Sequence, residues 1–368
     1  MGTVLLVRIR PWDPTTSRTV LGVPNAFGSK AYAGGLSFTA GGQASAIYLS
    51  DKGFTSNPDD AFPANIYWEG RLQTGYNFGA SLFRGEEPEG RSEVGMGEIV
   101  IANPDGFYDN TFKLGWDGRT LEIWTGEDLQ PFSTFTKRIE ATVERIEWGE
   151  GTVTLKVRDK RFNTGRPIAF SLYGGTGGLD GNSDIAGQPK PQVYGEKYNI
   201  RATLVDPANL IYQVHDRLMQ SILAVRDKGV ALNSDGDVST VSILTATVSS
   251  GAYTTSLSTG VFKLGASPAG LITVDARGDA LGGYVSTTAA IARRIVTTRL
   301  TGQQLADPED LNVSTITALI SAQPATVGVA PTPGRTTADV LDDLFIAIGG
   351  FWFFDRTGNF SVGRLTAP

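Results

Sequence analysis

No cysteine occurs anywhere in the 368 residues, and there is a single histidine, His215. The first absence removes disulfides, zinc–thiolate sites and iron–sulfur clusters together. The second removes zinc sites built from two or three histidines, and any cysteine–histidine pair, within one chain. Long apolar runs are also missing. The N-terminal Val4-Leu5-Leu6-Val7 is broken at once by Arg8. That is too short for the apolar core of a secretion signal and far too short to span a bilayer. It reads as a strand, and the chain is expected to be soluble, without a membrane span, and made in the cytoplasm. Basic runs are scarce too. None is longer than a pair such as Arg293-Arg294, and 32 Lys and Arg against 38 Asp and Glu leave a net charge of −6. A dedicated nucleic-acid binder carries a clustered basic face, so sequence-specific DNA binding is disfavoured.

What is abundant is apolar and turn-forming residues. Hydrophobic residues make up 40% and aromatics 10%, enough to fill real cores. The 45 glycines and 18 prolines amount to about 17% of the chain, well above the roughly 12% usual in proteins. That excess implies many turns between many short strands, and the length implies two or three domains.

Residues 1 to about 80 alternate β-favouring runs with Gly, Asn, Pro and Ser clusters; strands are expected at 4–9, 46–49 and 66–68, with a turn at Asn57-Pro58-Asp59-Asp60. The clearest pattern spans 97–158. Asn103-Pro104-Asp105-Gly106 and Trp116-Asp117-Gly118-Arg119 are turns, and the second opens onto the alternating strand Thr120-Leu121-Glu122-Ile123-Trp124. Residues 141–148 and 152–157 flank Gly149-Glu150-Gly151, and Val153, Leu155 and Val157 alternate with Thr and Lys, as in a hairpin with one wet face. The fold class read from this is β-rich α+β: a small antiparallel β-barrel followed by a mixed α/β region with a C-terminal helix and hairpin. Three regions are expected. Residues 1–165 form a tube- or barrel-type domain, and 166–285 a loop-rich mixed β region opening on an extended surface loop at 166–199. Residues 286–368 form an α+β region with helices near 286–298, 314–322 and 336–348. In the last of these, Thr336 starts the helix, Val340, Leu341, Leu344 and Phe345 repeat at helical spacing, and Gly349-Gly350 stops it.

Chemistry is harder to find. A serine–histidine–aspartate arrangement would have to use His215 with Asp216 beside it, but no Gly-x-Ser-x-Gly elbow is present, and Ser267 in Gly265-Ala266-Ser267-Pro268-Ala269-Gly270 is one residue off that pattern. His215 therefore reads as a surface or packing residue. Glu86, Glu87 and Glu89 cluster in a solvated loop, whereas a glycosidase needs one acid in an apolar pocket. Gly174-Gly175-Thr176-Gly177-Gly178 lacks the Gly-Lys-Ser/Thr ending of a phosphate-binding loop. Asn233-Ser234-Asp235-Gly236-Asp237 lacks the bidentate glutamate that closes a calcium loop, and reads as a turn. Trp116, Trp124, Trp148 and the run 351–354 sit at strand spacing and read as core or subunit-interface residues rather than a sugar platform. No catalytic, cofactor-binding or metal-binding residue is assigned, no cofactor is expected, and the chain is read as a non-enzyme.

Several strings, taken in order, carry a resemblance. They are Asn103-Pro104-Asp105-Gly106 with Gly115-Trp116-Asp117-Gly118-Arg119, and Val143-Glu144-Arg145-Ile146-Glu147-Trp148 leading to Leu155-Lys156-Val157-Arg158-Asp159. Leu172-Tyr173-Gly174-Gly175-Thr176-Gly177-Gly178-Leu179-Asp180-Gly181 then runs into Gly187-Gln188-Pro189-Lys190-Pro191-Gln192-Val193-Tyr194-Gly195-Glu196. Last come Leu210-Ile211-Tyr212-Gln213-Val214 and Phe354-Asp355-Arg356-Thr357-Gly358 with Gly363-Arg364-Leu365. Together they resemble a family of tail proteins of siphophages and prophages encoded near the tape-measure gene. The resemblance covers most of residues 95–368. It implies a baseplate hub, trimeric and built on small β-barrels that continue the tail tube, which joins the tube to a central fibre or spike and lines the DNA channel. Longer relatives continue past the position of Leu365, so a short version or one part of a split hub is expected. The implied partners are other tail proteins: the distal tail ring, the tape measure, the central fibre or further hub subunits. The implied location is the virion, assembled in the host cytoplasm. A hexameric distal tail ring protein, a carbohydrate- or receptor-binding tail module, and a hydrolase using buried carboxylates are the alternatives. The loop 166–199 is expected to lie along a neighbouring subunit.

Overall fold

The computed structural model describes residues 2–20, 38–43, 46–60, 63–75, 96–298, 306 and 308–365. Of these, residues up to 75, 96–162 and 354–359 form one compact unit, and 163–353 with 360–365 form a second. The protein is β-rich α+β, with several sheets, mostly antiparallel, and a few short helices.

The strands of the first unit are β1 (Thr3–Ile9), β2 (Trp12–Val20), β3 (Phe38–Gln43), β4 (Ile47–Ser50), β5 (Phe54–Thr55), β6 (Tyr67–Trp68), β7 (Leu72–Thr74), β8 (Met96–Ala102), β9 (Thr120–Glu127), β10 (Thr136–Gly149) and β11 (Thr152–Arg158). Seven form one antiparallel sheet in the order β4-β1-β9-β10-β11-β8-β7, while β2–β3 and β5–β6 pair separately. Local pattern accounts for the centre of this sheet. On β11, Val153, Leu155 and Val157 are buried and the residues between them are half exposed. Leu155 and Val157 face Ile146 and Val143 on β10, with a bulge at Glu144. Gly151 takes φ +68 in the connecting turn, a left-handed conformation open to glycine at little cost.

All seven strands send apolar side chains into one core, from Val7 on β1 through Leu49, Leu72, Ile99, Leu121 and Val143 to Leu155 on β11. A sheet whose own strands fill a single core has to curl around it. The curl stops short of a barrel, because the edges β4 and β7 do not pair with each other. The segment between β6 and β7 instead lies along β4 before the chain enters β7. Ser50 N–H donates to the Glu69 carbonyl (2.7 Å) and Glu69 N–H to the Tyr48 carbonyl (3.0 Å), while Leu72 stands in register with Ile101 on β8. On the outer side, Val4, Leu6 and Trp124 form a second cluster with Phe54, Trp68 and Phe135.

The second unit contains β12 (Tyr194–Arg201), β13 (Thr203–Asp206), β14 (Ile211–Gln213), β15 (Met219–Asp227), β16 (Val230–Ala231), β17 (Asn233–Asp237), β18 (Ala252–Ser256), β19 (Val261–Leu264), β20 (Ile272–Asp279) and β21 (Gly328–Val329). They form two five-stranded sheets, β16-β15-β20-β12-β21 and β13-β14-β19-β18-β17. Val225, Val274 and Ile200 from the first sheet share a core with Tyr212, Tyr253 and Phe262 from the second, so the sheets face each other. Residues 233–237, expected as a turn, are the exposed edge strand β17, paired in parallel with β18. The Asp237 carboxylate anchors it by accepting from the Thr255 hydroxyl (2.7 Å) and the Leu257 N–H (2.9 Å).

The helices are α1 (Ser242–Thr245), α2 (Thr288–Thr297), α3 (Val313–Ala322) and α4 (Thr337–Ile346), followed by the hairpin β22 (Gly350–Phe354) and β23 (Phe360–Arg364). A capping box starts α4: the Thr336 hydroxyl accepts from the Asp339 N–H (3.2 Å) and the Asp339 carboxylate accepts from the Thr336 N–H (3.0 Å). The helix buries Val340, Leu341, Leu344 and Phe345. Trp352 on β22 is fully buried and donates its indole N–H to Asp342 of α4 at 2.7 Å. Among the described residues no helix is long and apolar enough to cross a membrane.

Candidate functional site

The sole histidine lies between β14 and β15, fully buried in the second unit. Val193 N–H donates to its Nδ1 at 3.0 Å, so the neutral ring carries its proton on Nε2. Nε2 faces Asp216 Oδ1 at 3.8 Å and Asp279 Oδ1 at 4.0 Å, both beyond hydrogen-bond length. Arg217 and Arg294 approach the second Asp279 oxygen at 3.5 and 3.3 Å. Arg217 also donates to the Tyr194 hydroxyl, which donates to Gln192, whose amide reaches Asp216 at 3.3 Å.

Two carboxylates and two guanidinium groups thus surround a neutral imidazole. Burial, with the Arg217 charge adding to it, pushes His215 down to about 3, so the ring stays uncharged at neutral pH. Burial raises Asp216 above its ordinary value, against the pull of Arg217 and Gln192. A proton-transfer role needs a ring that reaches a substrate. This ring has no exposed atom and serves as the polar centre of a core.

The other candidates are dispersed. Ser267 is exposed on the loop between β19 and β20, apart from the buried histidine. Glu86, Glu87 and Glu89 lie outside the described residues. Asp235 and Asp237 are on β17, and the carboxylate of Asp237 is taken up by β18 and the residues after it. No group of three His, Cys, Asp or Glu side chains able to hold a metal ion occurs among the described residues. Trp116 and Trp124 are buried core residues, Trp148 is 40% exposed, and in the run 351–354 Trp352 and Phe354 are buried.

The glycine-rich segment 174–178 closes on a carboxylate of its own chain. Asp180 accepts from Gly174 N–H (3.1 Å) and the Thr176 hydroxyl (2.8 Å), and these bonds hold it below the usual carboxylate range. A phosphate cradle requires such N–H groups to be free. The loop is also less extended than its composition implied. Tyr173 is buried, donates to Gln213 at 2.6 Å, and packs with Val205, Ile211, Ile243 and Val261, so one aromatic pins the loop to a sheet.

The opening most like a binding site was not legible beforehand. A cleft of about 850 Å³ in the second unit is lined by Gln188 to Val193, by Lys197 and residues 199–204, by Tyr212 and Val214, by 270–272 and by 330–333. That volume is within the range of ligand sites. Its walls include two proline-alternating pieces, Pro189-Lys190-Pro191 and Pro331-Thr332-Pro333, the one sequence signal that could have drawn attention to it.

Neither a protein-family model nor a curated protein sequence matches the chain. Among solved structures, one described as "Virion of native gene transfer agent (GTA) particle" is similar over 75% of this chain and 80% of that one, at 13% identity and a TM-score of 0.25. A TM-score of that size does not establish a common fold.

Proposed function

We propose that the protein is a non-enzymatic structural component of a phage-type virion, placed at the tail tip, and that it acts as a hub between the tail tube and a central fibre or spike. The observation that carries this reading is the ordered set of strings from Asn103 to Leu365 that resembles tail-tip proteins. The architecture supports it. The single histidine is sealed in a core, and the seven-stranded sheet curls around its own core without closing into a barrel. In this reading the curled sheet is the barrel-type part that continues the tube wall, and the partners are the neighbouring tail proteins.

Two experiments test it. Mass spectrometry of purified particles, with antibody-labelled electron microscopy, should find the protein at the tail tip; absence from the particle would end the proposal. Light scattering after size exclusion, with negative-stain images, should give an annular trimer. A hexameric ring would move the assignment to the distal tail ring, and peptidoglycan turnover by the purified chain would overturn the non-enzymatic reading.

A further inference from the structure

One strand edge of the second unit is only half covered. β21 pairs with β12 at Tyr194 and Gly195 and then ends, because the chain continues Ala330-Pro331-Thr332-Pro333. Proline has no N–H to give to a ladder, so this segment cannot extend the pairing. From Lys197 to Arg201, β12 pairs with β20 on one side, across a bulge where Asn199 N–H donates to Asp275 at 2.9 Å, and among the described residues no strand pairs with it on the other. Pro189 and Pro191 likewise offer no N–H on another wall of the cleft, whose Gln188 and Lys190 are bonded to Tyr173 and Ser171. β13, which follows β12 in the chain, is itself an edge strand.

The end of β12, the link at Ala202 and the start of β13 all line the cleft, from Asn199 to Leu204. Apolar contacts come from Ile200, Leu204, Tyr212 and Leu271, the last 53% exposed. Lys190, Lys197 and Arg201 also line it, and no Asp or Glu is among its described lining residues. Lys190 has Asp180 at 3.5 Å, whereas Lys197 and Arg201 are exposed and in no ion pair among the described residues. In a chain of net charge −6, a cleft lined by cations alone runs against the overall balance.

We propose that this cleft docks an extended acidic segment of a partner protein, which adds to the free edge of β12 as a further strand. Main-chain bonds to the edge supply affinity, while alternate side chains meet the apolar patch and the cations Lys197 and Arg201. Apolar lining and an open backbone edge favour a polypeptide over a polyanionic sugar, which would use the cations but not the edge.

The test uses the full chain and a fluorescent, end-capped peptide of five Glu-Val repeats, read by anisotropy. The peptide should bind, and its Lys-Val counterpart should not. The double variant Lys197→Glu/Arg201→Glu, at exposed positions and checked for native circular dichroism, should weaken binding about tenfold or more. N-methylation of alternate peptide nitrogens, which blocks strand pairing and keeps the charge, should abolish binding. Equal binding of the N-methylated and parent peptides, with competition by an anionic polysaccharide, would overturn strand addition in favour of a polyanion site. Binding unchanged by the charge-reversed variant, or no binding of the parent peptide, would overturn the proposal outright.

Discussion

At the scale of single residues, His215 shows how burial decides chemistry. Because its folded pKa, near 3, lies below the unfolded value of about 6.5, the unfolded chain takes up the proton first as pH falls. Its contribution to stability is therefore full above pH 6.5 and is lost as pH drops toward 3, with a slope approaching about 1.4 kcal/mol per pH unit. The chain has no other histidine to blur this. Urea unfolding between pH 7 and 5 should show the fall in the parent and a flatter profile in His215→Asn, whose side-chain oxygen keeps an acceptor for Val193. Identical profiles would mean that the ring titrates alike in both states. The sequence makes plain that only one histidine exists. Its burial depends on Val193, Tyr194 and Asp279, up to 64 positions away, which no local pattern relates to it.

Elements were legible where the signal is local. The threonine before α4 and the aspartate three residues on form a reciprocal cap, and the glycines after the helix end it. Thr336→Ala should cost about 0.5–2 kcal/mol and Thr336→Ser much less, as seen in the urea midpoint; equal losses would place the effect outside the hydroxyl. The β10–β11 hairpin was legible for a similar reason, since alternation and a glycine turn lie within one short window. β17 was not. Asn233 to Asp237 has turn composition, but pairing with β18 and the grip of Asp237 override that preference. The Gly174–Gly178 segment, expected within an extended surface loop, turns tightly around Asp180.

At the scale of the whole molecule, two separate sets of buried side chains matter. Leu155 belongs to the core of the seven-stranded sheet and Val274 to the core between the two five-stranded sheets. Leu155→Ala should cost about 2–5 kcal/mol. In calorimetry, that variant and Val274→Ala should each lower a different transition; one transition moved by both would show a single cooperative unit. The β-rich class was legible from glycine and proline content, whereas the open state of the sheet was not, since closure depends on how β4 and β7 finish. The cleft was equally hidden, being assembled from segments between residues 169 and 333. The prolines that end β21 have one more consequence. An uncovered strand is a template for aggregation with copies of itself, and lysine, arginine and proline along it are what blunt that tendency. Two copies meeting along β12 would set Lys197 and Arg201 against their own counterparts, so the feature that leaves the strand open to an acidic partner also keeps newly made chains from sticking to one another while they wait for it.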